Sequence, residues 1–469
     1  MKNQLLLAQA DTGKIPTIRI AIILAVLGFT WLIAQRSVTE QKWGLVVIVT
    51  IGAFLLLLKW YQFGFLALVF AGLLVPFSIG TGTGTSLNPV VLLLPLLLVL
   101  WILDNGLKQK TIKAYAGKPI YLVAALCIVA LLSLITGQLP WFQIASAPIT
   151  AQLGGVSIYI FSFVAFFLAV QHLNRTRLQQ LTCLFLAIGT LHVIARLVPA
   201  LGAIVLRLFA VGSTGSVFWT WLIALATGQL LFHKSLPLFW RLALLLLITS
   251  TFVVGWHNRQ WASGWFPPLV ALFTVLAVRF PRLILPSVIV VGLFLSTRFA
   301  DIFYVATTEQ SWWARQQAWQ IVLATSQVNP LLGLGPANYY FYVQLATIGG
   351  WGGNWNVAFS SHNNYVDLIA QTGILGLSLF LWFAGTMLHT SWRFYQNLSD
   401  EFSQGYTASV LGGLVGTIVS GMLGDWFLPF VYNIGFAGLR SSILFWIFTG
   451  GLLALKSQFV NNPSRVTVT

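Results

Sequence analysis

Few residues in this chain can carry chemistry, and they are of two kinds. The run Ser361-His362-Asn363-Asn364-Tyr365 holds a histidine, and an imidazole, with a reference pKa of about 6.5, exchanges protons near neutral pH. A lone histidine at a helix start is more often structural, so its surroundings must decide. Arg196, Arg207, Arg259 and Arg315 carry planar guanidinium forks that match phosphate oxygens and stay charged when desolvated. Asp425, in Gly424-Asp425-Trp426, could orient His362 or one of these arginines. Asp367 follows His362 by five residues on the next helix and is expected to face elsewhere. His257, beside Arg259, is a supporting candidate.

The elements that position these groups must lie in a bilayer. Of 469 residues, 58% are hydrophobic and only 7% charged, whereas soluble domains carry about 25% charged residues. Apolar segments fall near residues 18–35, 44–58, 63–79, 90–103, 120–136, 156–171, 178–198, 217–232, 238–255, 266–279, 283–299, 373–389, 407–423 and 435–455. Several are short for a span of about 20 residues, so the expectation is an all-α polytopic membrane protein with 12–14 transmembrane helices. Backbone polar groups in lipid must be satisfied internally, which favours helices over open strands. We read one membrane domain: helices over 18–299, a long loop over 300–362, and helices over 363–456. Met1 to Ile15 shows no short apolar core with a small-residue cleavage site, so no removed signal peptide is expected. Cys127 and Cys183 lie in apolar runs and read as small buried hydrophobes, not as a disulfide or metal framework.

A net charge of +16 would fit nucleic acid, but its distribution is that of topology. With the N-terminus inside, 17 of the 25 basic residues fall in cytoplasmic loops, among them Lys108, Lys110, Lys113, Arg175, Arg279 and Arg393. Both termini are then cytoplasmic. The 8 on the other side are Arg36, Lys42, Arg196, Arg207, Arg259, Arg298, Arg315 and Arg440. Arginine selected against the positive-inside trend points to a bound anion; interface snorkelling is the alternative for each taken singly.

The loop over 300–362 is far longer than the other connections, and such loops are usually functional. Ser311–Val328 reads as a helix, with Arg315 and Trp319 on one face. Asn329-Pro330 ends it, and Gly333-Leu-Gly-Pro336 makes a tight turn. Tyr339, Tyr340, Phe341, Tyr342, Trp351, Trp355 and Phe359 follow, either as faces for sugar rings or as an interfacial aromatic belt. Ser361 is placed to cap the next helix. Gly80-Thr-Gly-Thr-Gly84 lacks the βαβ setting and Lys-Ser or Lys-Thr end of a phosphate loop, and reads as a turn.

Three of these pieces together resemble a family. Asn329-Pro330-Leu-Leu-Gly333-Leu-Gly335, then Ser361-His362-Asn363-Asn364-Tyr365, then Gln371-Thr372-Gly373-Ile374-Leu375-Gly376 resemble the signature of bacterial O-antigen ligases and O-antigen (Wzy-type) polymerases. The likeness covers roughly residues 205–455. It implies a glycosyltransferase C-like bundle with a long periplasmic loop carrying short helices, in the inner membrane. It also implies a polyprenyl-diphosphate-linked glycan donor, a glycan or lipid acceptor, and inverting transfer without metal or other cofactor. The family's loop histidine, acting as base, falls on His362. Its diphosphate-binding arginines fall on Arg315 and on Arg259, where the family's usual Ser-Arg-Gly is here Asn258-Arg259-Gln260. Arg196 and Arg207, near outer ends of apolar segments, are further diphosphate candidates. Asn363 and Tyr365 join Asp425 and His257 as supporting residues. The external acids Glu40, Asp301, Glu309, Asp367 and Asp425 form no ligand cluster in sequence, which favours arginine over a metal for the leaving diphosphate. A secondary transporter of a small anion is the rival class. It would place ionisable sites mid-membrane on repeated halves, and no repeat or mid-span carboxylate is seen.

Overall fold

The computed structural model describes residues 52, 63–80, 86–105, 117–208, 214–258, 261–283, 289, 293, 296, 310–350 and 353–461. The chain divides into two compact units, Met1–Gly64 and Phe65–Thr469, and the second carries everything that follows. Its elements are α1 (Gly64–Leu74), β1 (Ile79–Gly80), β2 (Ser86–Leu87), α2 (Pro89–Leu103), α3 (Lys118–Thr136), α4 (Ile149–His172) and α5 (Arg175–Leu197). Then come α6 (Pro199–Leu208), α7 (Ser216–Phe232), α8 (Leu238–His257), α9 (Ala262–Arg279), α10 (Gln310–Ser326) and α11 (Tyr339–Tyr342). The last are β3 (Ile348–Gly350), β4 (Gly353–Trp355), α12 (Asn364–Tyr395), α13 (Glu401–Met422) and α14 (Gly435–Asn461).

Among the described residues, eight helices (α3, α4, α5, α8, α9, α12, α13 and α14) are long and apolar enough to cross a membrane, and α1, α2 and α7 are shorter apolar helices. The protein is thus a multi-pass, essentially all-helical membrane protein. The apolar segments at 18–35 and 44–58, and most of 283–299, lie outside the described residues.

The bundle sorts its helices by burial. The apolar window of α14 lies wholly inside, whereas α8 is largely exposed and turns Leu238, Phe239 and Trp240 outward. Apolar exposure of that kind suits lipid, which offers no hydrophobic penalty. Small residues let α7 and α13 approach closely: a Cβ on Gly228 would fall 2.4 Å from the Gly405 carbonyl oxygen. At the end of α13 away from the long loop, Asp400 caps the helix and takes a bidentate pair from Arg175 at 2.6 and 2.9 Å, a geometry that fixes both partners. Cys127 is buried as expected, but Cys183 is exposed, because it stands on the outward face of α5.

The Gly80–Gly84 run falls between two strands that pair Gly80 with Ser86; positions 81–85 lie outside the described residues. Arg440, one of the arginines that the sequence places opposite the cytoplasm, is committed to the fold. Its guanidinium is buried and donates to the Gly72, Val75 and Phe77 carbonyls at 2.7–2.8 Å, satisfying chain that leaves α1 without a helical partner.

Candidate functional site

The long loop is built as a folded insert on the bundle. α10 spans Gln310–Ser326, and its Ala318 and Val322 are buried against the neighbouring elements. Beyond it, Asn329 closes the turn by donating to the Gly333 carbonyl at 2.7 Å. Asn338 ties the loop to the α3–α4 connection, with contacts to Gly137 and Ala147. A feature absent from the sequence reading is the antiparallel hairpin β3–β4, which pairs Ile348 with Trp355. The aromatic run also divides. Tyr339 and Tyr342 are almost wholly buried, with Tyr339 stacked on Phe430 at 4.7 Å, so neither offers a face to a sugar. Trp355 and Phe359 remain open on a cavity wall, and Trp351 lies outside the described residues.

His362 is held in a left-handed backbone conformation with φ of 49°, uncommon for any residue with a side chain. Such a conformation persists when its neighbours over-determine it, and here they do. Trp319 Nε1 donates to the Ser361 carbonyl at 2.8 Å. Ser361 Oγ and Tyr339 OH both donate to Asp367 Oδ1, at 2.7 and 2.5 Å. Asp367 therefore grips the turn that presents the imidazole. The helix cap is Asn363, not Ser361: Asn363 Oδ1 accepts from the Tyr365 and Val366 amides at 2.9 and 3.4 Å. Ser361 is drawn inward to Asp367 instead. Tyr365 OH donates to the Ile418 carbonyl at 2.6 Å and so anchors α12 on α13. Asn363 and Tyr365 thus position the histidine's helix.

The ring meets the segment between α13 and α14. Asn433 Nδ2 lies 3.0 Å from His362 Nδ1 and donates to Asp425 Oδ1 at 2.7 Å. Asp425 is fully buried, and its other oxygen accepts the Phe430 amide at 2.7 Å. Asn364 locks this segment to α12, donating to the Leu428 carbonyl at 2.7 Å and accepting the Phe427 amide at 3.0 Å. Asp425 thus reaches His362 through one intervening amide. Asn433, Asn364, Asp367 and Tyr339 belong to the site and were not singled out for it from the sequence. A polar residue that ends up buried was the one available signal, and burial is not written in a sequence.

On its other side His362 lines a cavity of about 320 Å³ that Arg315 and Ser360 share, with Ile348, Trp355 and Phe359 as apolar walls. Arg315 Nη1 donates to the Leu423 carbonyl at 3.3 Å. Burial first, and then the Arg315 charge, hold the His362 imidazole below its ordinary pKa of 6.5, because both disfavour a second positive charge there. The ring is therefore neutral near neutral pH. Burial pushes the Asp425 carboxyl up from its ordinary range, against the pull of the Phe430 and Asn433 hydrogen bonds.

A second cavity, of about 220 Å³, is lined by Arg196, Asn258, Trp219, Trp261 and Trp265. Arg196 lies over the Trp219 ring at 5.1 Å and donates to Thr214 Oγ1 at 2.8 Å and the His192 carbonyl at 3.1 Å. Trp261 meets the edge of Trp426 at 5.9 Å. The segment Leu423–Trp426 thus touches both sites, through the Leu423 carbonyl on Arg315 and Trp426 on Trp261.

In comparisons with known proteins, the chain matches no family model and no curated protein.

Arg259 lies outside the described residues, although Asn258 before it faces the Arg196 cavity. Arg207 stands on α6. His257 is exposed at the end of α8, with Nδ1 2.8 Å from the Val253 carbonyl, and lines neither cavity. Among the described residues no three His, Cys, Asp or Glu side chains gather as metal ligands. What the site does bring together is a neutral imidazole and a guanidinium lining one largely apolar cavity, which suits an anion attached to a greasy chain.

Proposed function

We propose that the protein is an inverting, metal-independent glycosyltransferase. It would move a glycan from a polyprenyl diphosphate to an acceptor hydroxyl on the periplasmic side of a bacterial inner membrane, as repeat-unit polymerase or O-antigen ligase in surface polysaccharide assembly. The observation that carries the reading is that His362 and Arg315, which the motif resemblance picks out, line one cavity with apolar walls.

In such a transfer the acceptor oxygen attacks the anomeric carbon and the bond from that carbon to the diphosphate oxygen breaks. The hydroxyl proton passes to His362, a general-base step worth about 10²–10⁴ in rate. Negative charge grows on the departing diphosphate, and Arg315 meets it inside a site of low dielectric. Arg196 stands in the neighbouring cavity, and it would serve with Arg207 and Arg259 as the wider cationic surround of a diphosphate or of the acidic groups of a glycan. The three tryptophans about Arg196 suit the C–H faces of sugar rings. A glycosyltransferase C-like bundle is the architecture this reading implies for the spanning helices.

The test is incubation of the purified protein in liposomes with a lipid-linked single repeat unit. A ladder of lengths identifies a polymerase, and one transfer onto an added lipid or glycan acceptor identifies a ligase. Failure to consume any lipid-diphosphate-linked glycan under conditions where the protein stays folded rejects the assignment.

A further inference from the structure

The carboxyl of Asp425 constrains a proton it never touches. One of its oxygens is occupied by the Phe430 amide and the other faces Asn433 Nδ2. A carboxylate can only accept hydrogen bonds, so Asn433 must turn its NH₂, and not its carbonyl, toward Asp425. The same nitrogen sits 3.0 Å from His362 Nδ1, and an amide NH₂ carries two hydrogens, one for each acceptor. A ring nitrogen that receives a hydrogen bond keeps its lone pair. Nδ1 is then bare, and the single proton of the neutral ring must be on Nε2. Among the described residues Nε2 has no protein partner, and His362 lines the Arg315 cavity.

We propose that Asn433 is a positioning residue which, oriented by Asp425, fixes His362 in the Nε2–H tautomer, so that this nitrogen meets a bound phosphoryl oxygen as a donor beside Arg315. The tautomer follows from the geometry with Asp425 ionised; its phosphoryl ligand rests on the glycosyltransferase reading. The lock also sets a condition on the base. For Nε2 to take the acceptor's proton, the ring proton must first be on Nδ1, with the Asn433 amide turned over. Its oxygen would then face both the Nδ1–H and Asp425. An ionised Asp425 opposes that arrangement, and a protonated one donates to it. The charged and titratable groups facing this chain of bonds are Arg315 toward His362, and Asp367 and Tyr339 toward Asp425.

The readout is solid-state NMR of the full-length protein in lipid bilayers with ¹⁵N-labelled histidine, His362 being assigned by difference against His362→Gln. In the parent protein at neutral pH the proton is expected on Nε2. In Asp425→Asn, a change of nearly equal shape, the Phe430 amide still requires an oxygen, so the new NH₂ faces Asn433 and forces its carbonyl round; the ring proton moves to Nδ1. Asn433→Leu removes the lock and yields both tautomers. The idea is overturned by an Nδ1–H ring in the parent protein, or by a ring proton that stays wholly on Nε2 in either variant while the other histidine signals are unmoved. No glycan transfer enters this measurement, so its failure and the failure of the enzymatic assignment are told apart.

Discussion

Gly333 and Gly373 stand where neither could carry a side chain. A Cβ on Gly333 would fall 2.7 Å from the Gly373 amide nitrogen, and one on Gly373 would fall 2.2 Å from the Leu331 carbonyl oxygen. Both have left-handed backbones, with φ of 70° and 66°. Two cross-links stitch the approach: the Leu334 amide to the Ala370 carbonyl at 2.8 Å, and the Ile374 amide to the Pro330 carbonyl at 2.9 Å. α12 is thereby broken at Gly373 into a short arm that bears Asp367 and a long arm that spans. The turn over 330–335 seats in the break and holds the short arm in place.

Gly373→Ala should therefore be costly. A strained left-handed position costs on the order of 1–3 kcal/mol, and the clash adds to it. Gly385→Ala is the control, because its Cβ would meet nothing within 4 Å and a helical Gly-to-Ala change gains roughly 0.5–1 kcal/mol. Thermal unfolding in nanodiscs should show a lower Tm for the first variant and an equal or higher one for the second. Equal midpoints would remove the interlock from the account.

His362→Ala should reduce glycan transfer by about 10²–10⁴, the usual worth of a general base, while the protein stays folded. The ring's one hydrogen-bond partner among the described residues is the exposed amide of Asn433, so little stability rides on it. Transfer assayed in liposomes, with the melting curve as control, decides the matter. Unchanged turnover would reject the base role.

Arg315→Lys keeps the charge and loses the planar fork. An ammonium cannot grip two oxygens in the same way, so kcat/KM should fall by at least about tenfold. Near-normal kinetics would mean that Arg315 acts as a point charge or not at all.

The pH profile follows from the environment of the imidazole. Burial and then Arg315 lower the His362 pKa below 6.5. A base must be unprotonated, so the acid limb of kcat/KM should rise with pH through an apparent pKa under 6.5. Replacing Arg315 by Gln removes one positive neighbour, and the acid limb should move up toward the ordinary value. An NMR titration of His362 measures the same shift directly. A parent pKa at or above the ordinary value, or no upward move in the variant, would contradict this account.

Much of the fold was legible. Each apolar segment expected within the described residues coincides with a helix, because lipid requires long uninterrupted apolar runs and leaves little freedom in how to read them. The helix carrying Arg315 was legible from its own pattern, and its end from Asn329-Pro330. Other things were not, among them the hairpin β3–β4, the burial of Tyr339 and Tyr342, and the structural task of Arg440. Each depends on which partner a residue meets across the fold. An aromatic ring or a guanidinium has the same composition whether it faces a ligand or a neighbouring backbone.

From the amino-acid order alone came the membrane class, the approximate spans, and His362 and Arg315 as residues worth watching. These rest on hydropathy, local spacing and motif, all of which are local quantities. Tertiary structure alone decided that His362 and Arg315 share a cavity, that Asp367 grips the turn beneath the imidazole, and that Asp425 reaches the ring through Asn433. Those relations join residues up to 71 positions apart. No local rule pairs them, because a hydrogen bond forms wherever packing places a donor within about 3 Å of an acceptor, and packing is a property of the whole chain.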